Sequence, residues 1–384
     1  MLSSVSSPFN SSPYANQLRM PRAIVLINGT PVVWEDITIQ TTTFFMSDNY
    51  TIVMPLNSQN AMFDLEYWSS VTDLIVKIYI GYPINPSSYT ANDLELFMVG
   101  SVDLMEVDPL TATIVLSGRD LTSRLIDSKV TKVYPNQTAS SIATQLAEAH
   151  NLNPVITPTS INVGRYFSNF QTNAQSFLTK QSTEWDLITF LAQQSGFVVY
   201  IEKEDLVFKP FPANDSSAFT LNYQPPQFKG GSPNFNGMQL RFKRSLTLAN
   251  DVIVNVIVPL NPQSGKSFTK SAQYVRRARG IRNIPSPTGT KQTYNFIMAG
   301  LTPEQAQQQA TTLAQNITIH EIIMSASMPG ENTLKKDSLI KVQGTNSSYD
   351  QLYYTDTVTR QISLNGYDMQ IIAKNHSTDS QAQP

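Results

Sequence analysis

The stretch that decides the fold runs from Gly100 to Asp127, GSVDLMEVDPLTATIVLSGRDLTSRLID. Gly100–Val107 reads as a β-strand, Asp108-Pro109 as a turn, and Thr111–Ser117 as a second strand with period-two alternation. In that second strand Ala112, Ile114 and Leu116 fall on one face, and Thr111, Thr113 and Val115 on the other. The run Gly118-Arg119-Asp120-Leu121-Thr122 ends the β pattern. Asp120 is expected to cap a short helix in which Leu121 and Leu125 stack one turn apart. A catalytic role for Arg119 and Asp120 has far less support than capping.

Working outward, the same β texture extends upstream. Ala23–Ile27 and Val32–Thr43 flank Asn28-Gly29-Thr30, a strong hairpin signal because Asn and Gly both accept positive φ. Further strands are expected at Asn49–Met54, Leu74–Ile80 and Leu94–Val99. Strands this short, with turns this frequent, indicate a sandwich or barrel of roughly 100 residues, here 22–127. Residues 1–21 are rich in Ser, Asn and Pro without periodicity and read as an extended N-terminal arm.

Downstream, residues 128–210 change character. Thr138–His150 predicts an amphipathic helix, and Thr183-Glu184-Trp185-Asp186 a capping-box start to a second helix ended by Gly196. A hairpin follows, Phe197–Ile201 and Leu206–Lys209, so two helices and a hairpin form an α+β module. Residues 211–301 are loop-rich, with strands at Met238–Leu248 and Asp251–Val258. Residues 302–374 open with Thr302-Pro303-Glu304-Gln305, a helix start with Pro at the first position. Strands are expected next at Ile317–Ser325, Ser338–Val342, Gln351–Arg360 and Asp368–Ala373, before a polar tail at 375–384. There is no sequence repeat of 20–50 residues, although two β-rich halves around a helical module repeat an architecture.

Composition narrows function by exclusion. Lys and Arg number 27, Asp and Glu 29, so a net charge of −2 gives no bulk attraction to DNA or anionic lipid. With no cysteine there is no disulfide framework, thiolate metal site or Cys nucleophile. Charged residues are only 15%, and Ser, Thr, Asn and Gln make up about a third of the chain instead. No apolar run approaches about 18 residues, so stable membrane insertion is not expected, and the N-terminus lacks a Sec-type pattern.

Few residues stand out as chemical sites. Arg276, Arg277, Arg279 and Arg282 are the one basic concentration and are read as an inter-subunit or partner contact, or as a solvated loop, ahead of specific nucleic-acid binding. His320-Glu321-Ile322-Ile323-Met324 has Met324 where a zincin helix needs its second histidine. Glu148 and His150 are two apart on a helix and do not face each other, while Glu184 and Asp186 sit where acidic residues cap a first turn. Neither a Gly-x-Ser-x-Gly elbow nor a Gly-rich phosphate loop occurs. No catalytic residue, metal or cofactor is expected. Tyr50, Trp68, Tyr79 and Tyr354 can be interface anchors, with core packing favoured for each.

The order of these signals resembles a known family. The quoted stretch is followed by TASSIATQLAEAHNL, then by STEWDLITFLAQQSGFVVYIEKEDLVFKP, and near the end by DSLIKV and YYTDTVTRQISLNGYDMQIIAK. The chain resembles the baseplate hub of contractile bacteriophage tails, the late control protein D family, and the N-terminal part of type VI secretion spike proteins. That resemblance implies an α+β, mainly β fold: two tail-tube-like β-barrel domains with an inserted helical α+β module. The first barrel would be Arg22–Asp127. The second would be assembled around Met238–Val258 and Thr302–Lys374. It further implies a homotrimer giving a pseudo-sixfold ring that joins the tail tube protein to a separate spike or tip protein. Other baseplate proteins and the tape measure protein are further implied partners, and the ring would provide a channel for DNA. The implied location is the virion tail baseplate, assembled in the host cytoplasm. The competing readings are a tail-associated peptidoglycan hydrolase and the hub of a bacterial contractile injection system.

Overall fold

Asn28 and Gly29 take positive φ (48° and 84°) and join β1 (Arg22–Ile27) to β2 (Thr30–Val32) in a two-residue turn. This computed structural model describes residues 20–130, 132, 134, 137–160, 163, 183–211, 219–227, 232–246, 252–259, 265–274, 291–298 and 301–375. The chain continues from β2 into β3 (Asp36–Thr42), but the two serve different neighbours. β2 pairs with β1, whereas β3 pairs with β4 (Asn49–Pro55). Next come α1 (Leu65–Ser70), started by the Asp64 carboxylate that accepts from the Tyr67 N–H, and β5 (Ile75–Gly81). β6 (Glu95–Asp108) and β7 (Thr113–Asp120) complete the ladder β1–β5–β6–β7–β4–β3. Because the run 30–42 pairs with β1 at its start and β4 at its end, the path of bonded neighbours returns to its origin. Inside lie Ile27, Ile37, Ile52, Met54, Ile78 and Ile80, none with any exposure. Burying each contributes about 1.5–3 kcal/mol, and these contacts hold the barrel together.

α2 (Thr122–Asp127) follows directly. The Asp120 carboxylate does accept from the Thr122 N–H at 3.1 Å, but the cap position itself belongs to Leu121, so the helix begins later than the sequence reading placed it. Asp120 is held in β7 by its pairing with Gly100, which leaves Leu121 to make the turn. The module then consists of α3 (Ala139–Ala149), β8 (Asn153–Ile156), α4 (Glu184–Ser195), β9 (Phe197–Glu202) and β10 (Asp205–Pro210). Thr183 and Asp186 form the expected capping box, and Gly196 ends α4 at φ 68°. Both helices cover the sheet β8–β10–β9 through Leu146, Trp185, Ile188 and Phe208.

The second half repeats the wiring of the first. β11 (Phe219–Gln224) pairs with β12 (Asn234–Phe235), and after a bend the same run continues as β13 (Gln239–Arg244). β14 (Val252–Val258), β15 (Phe268–Tyr274) and β16 (Gln292–Ile297) form a separate three-stranded sheet. Over it lies α5 (Pro303–Thr318), whose Ala306 and Ala310 pack on Val256 and Val258, and Ala314 on Val252 and Val254. β17 (Ile322–Pro329), β18 (Leu339–Gln343), β19 (Leu352–Ser363) and β20 (Gly366–Asn375) complete the ladder β11–β18–β19–β20–β17–β13. The run 234–244 bonds β11 at one end and β17 at the other, so this path closes by the same device. One difference is that β11 runs parallel to β18 where β1 is antiparallel to β5, which requires the chain to turn back between β12 and β13.

Two further expectations are corrected. The strand from Asp251 does not enter the barrel: its buried valines face α5 instead. The region from Ile317 is still helical, because α5 runs to Thr318 and the strand begins at Ile322. The barrels themselves are joined by β19. Its first residues, Leu352–Tyr354, pair with β18, while Thr357–Ser363 pair with β3 of the other barrel. The fold is α+β and mainly β, with two barrels fused through one shared strand and an α+β module between them in sequence.

Candidate functional site

The most concentrated polar chemistry lies where the three units meet. Lys336 precedes β18, Asp48 precedes β4 and Asp120 ends β7. The Lys336 ammonium lies 2.9 Å from an Asp48 oxygen and 3.7 Å from an Asp120 oxygen, and all three side chains are buried. It also donates to the Ile201 carbonyl at 3.3 Å and sits 5.6 Å from the centre of the Tyr200 ring, both on β9. One cation therefore ties the two barrels to the module. Asp48 is further held by the Thr42 N–H at 2.8 Å, and its own carbonyl accepts from the Asp120 N–H at 3.0 Å.

One positive charge faces two carboxylates in a dry setting. Burial pushes the Asp48 carboxyl up to about 6, against the opposing pull of Lys336 and with a further push from the Asp120 charge. Burial raises Asp120 as well. Burial works against charge on Lys336, but Asp48 and Asp120 beside it hold its pKa above the ordinary lysine value. The adjoining cavity is about 60 Å³, lined by Thr41, Asp48, Asp120, Lys336 and Arg360 among others, which is room for a few waters. What this arrangement does is lock three bodies together.

The residues singled out from sequence are dispersed. Arg276, Arg277, Arg279 and Arg282 lie outside the described residues, as does nearly all of the 1–21 arm. His150 faces Glu184 across the two helices, with its Nε2 hydrogen-bonded to the Glu184 carboxylate, so its acidic partner is not Glu148. Asp186 caps α4 by exchanging hydrogen bonds with Thr183. Glu321 is buried against Arg244, whose Nε lies 3.1 Å away. Among the described residues no group of three or more His, Asp or Glu is placed to hold a metal ion. Tyr50, Trp68 and Tyr354 are buried inside the chain's own cores, and Tyr79 is half-buried. The Lys336 cluster escaped sequence reading because its members are far apart in the chain, Lys336 and Asp48 sit in ordinary polar loops, and Asp120 at the end of its strand reads as a helix cap. No described helix is long and apolar enough to cross a membrane.

No protein-family model matches the sequence, and no curated protein matches it. Solved structures do. A tail protein from Neisseria meningitidis MC58 aligns over 92% of this chain and 96% of its own, with a TM-score of 0.63 at 14% identity. The 43 kDa tail protein of prophage MuSo2 from Shewanella oneidensis aligns over 94% of this chain and 100% of its own, with a TM-score of 0.62 at 15% identity. A chain of the half-lidded PdpA–VgrG complex of Francisella aligns over 96% of this chain and 60% of its own, with a TM-score of 0.53 at 9% identity. Two like-wired barrels, a shared strand and an intervening α+β module thus amount to the fold of prophage tail proteins, over nearly the whole length of this chain.

Proposed function

We propose that the protein is a structural hub subunit of a contractile phage tail baseplate, acting by assembly and not by catalysis. The observation that carries this reading is the pair of like-wired barrels joined by β19: each chain supplies two equivalent positions in a ring. Three copies then form a pseudo-sixfold ring, which meets the tail tube protein on one side and a spike or tip protein on the other. The ring leaves a channel for DNA, other baseplate proteins and the tape measure protein meet it during assembly, and the finished part resides in the virion after assembly in the host cytoplasm. Low charge suits such a part, since interface cores disfavour Lys, Glu and Asp while Ser, Thr, Asn and Gln bond across subunits at less desolvation cost. A hydrolase reading gains nothing from the site, because Glu184 is engaged by His150.

Mass measurement tests this directly. Native mass spectrometry or light scattering on the full chain, alone and with its tube and spike partners, should find three copies per assembly. A chain that stays monomeric in every mixture would remove the proposal. Imaging of the particle should place the ring at the tail tip.

A further inference from the structure

Four strands of each barrel share one hydrogen-bond register, β6–β7–β4–β3 in the first and β19–β20–β17–β13 in the second. Asp103 bulges out of β6 between Val102 and Leu104, and Asp356 bulges out of β19 between Thr355 and Thr357. Each bulged aspartate has a basic partner on the next strand: Arg119 Nε lies 2.7 Å from Asp103, and Lys374 Nζ 2.7 Å from Asp356. Arg119 stands opposite Ser101 and Lys374 opposite Tyr354, in each case two residues before the bulge. The ladders then stay in step. Arg119 pairs with Asn49, which pairs with Gln40, while Lys374 pairs with Ile323, which pairs with Lys243. Gln40 and Lys243 are therefore equivalent, and counting onward from the two bulges makes Thr359 equivalent to Glu106.

Within the chain, β3 pairs with the later part of β19, placing Gln40 opposite Thr359, Ile39 opposite Arg360 and Thr38 opposite Gln361. The equivalents of those two strands are β13 and the later part of β6. Each has one edge with no strand partner among the described residues. Carried through the repeat, the three pairs become Lys243 with Glu106, Phe242 with Val107, and Arg241 with Asp108. We infer that Met105–Asp108 of one copy pairs antiparallel with Arg241–Arg244 of a second copy. This rests on the ring reading above and names the edges that make the ring.

The chemistry of both edges agrees with that register. Two pairs bring opposite charges face to face, and the pair between them is apolar. Glu106, Arg241 and Lys243 are exposed and have no ion-pair partner among the described residues. Val107 packs partly against the first barrel's core and Phe242 partly against the second's, so the inward faces match. Leu104, 65% exposed, stands at the start of an open edge, a feature that invites another strand. The two edges differ from each other, so the contact is head-to-tail and closes a ring in place of a two-fold dimer.

The absence of cysteine gives a clean test. Opposed residues of an antiparallel pair have Cα atoms about 4.5–5.5 Å apart, within disulfide range. In the full chain, Glu106→Cys combined with Lys243→Cys should yield covalent dimers and trimers on a non-reducing gel after mild oxidation. Either substitution alone should yield none. Gln40→Cys with Thr359→Cys is the internal control and should give an intrachain bond. Glu106→Lys and Lys243→Glu should each weaken assembly at least tenfold, and the combined swap should recover most of it. If wild type assembles into threes while the double-cysteine chain stays unlinked, these edges are wrong although the ring stands. If wild type never assembles with its tube and spike partners, the ring reading itself fails and this inference with it.

Discussion

The Asp48 carboxyl shows how a single buried group sets a pH response. Its folded-state value of about 6 lies above its ordinary 3.8, with burial as the chief cause, so the folded chain binds a proton that the unfolded chain has released. That contribution is fully present below about pH 4 and is lost as the pH rises through about 6. Relative to Asp48→Asn, wild type should therefore lose on the order of 1–3 kcal/mol between pH 4 and pH 7. Thermal midpoints by circular dichroism for both proteins at pH 4.5 and 7.5 would check this, and parallel profiles would contradict it. None of this was legible in the sequence, where Asp48 sits in an unremarkable Met-Ser-Asp-Asn turn and its partner Lys336 lies most of the chain away.

At the scale of the strand, the Gly100–Asp127 stretch encodes more than alternation. Tyr50 on β4 lies across from Gly118, is 2% exposed, and covers both Gly118 and Gly100. A Cβ at Gly118 would come within 2.0 Å of the Ser101 carbonyl and 2.6 Å of the Tyr50 hydroxyl. Gly118→Ala should thus destabilise by about 2–3 kcal/mol through overpacking. Tyr50→Phe should be near neutral or slightly stabilising, because the buried hydroxyl has no partner to lose. Urea denaturation of the two variants separates these outcomes, and a large loss in Tyr50→Phe would argue against the unpartnered hydroxyl. Elements with local signatures were readable: the Asn28-Gly29 turn, the Thr183 capping box and the Thr302-Pro303 start each need only four or five residues. α1 was missed because its short apolar stretch carries no full helical period. The change of partner between β2 and β3 was missed because a continuous extended run looks the same whichever strand it bonds.

For the whole molecule, the decisive pairing is β3 with β19, between segments more than three hundred residues apart, and nothing local in either strand announces the other. Arg360 secures that seam. Its guanidinium is buried, donates to the Leu334 carbonyl at 2.6 Å, the Glu331 carbonyl at 3.3 Å and the Thr41 hydroxyl at 3.3 Å, and lies 4.9 Å from the centre of the Phe97 ring. Arg360→Met strands two buried carbonyls and should cost about 3 kcal/mol or more. It should also split one calorimetric transition into two, since the seam is what couples the barrels; a single transition at a lower midpoint would show that other contacts suffice. Resemblance supplied the two-barrel plan, and the pairing registers supply what holds the two together. That shared strand also imposes a timetable. The first barrel can close once β7 has left the ribosome, but the mate for β3 emerges roughly 240 residues later, an interval of about 10–50 s at ~5–20 residues per second. Through that interval an extended edge of Thr and Gln stands open beside other nascent copies, so the step most exposed to misassociation falls during synthesis, before any subunit meets its neighbours.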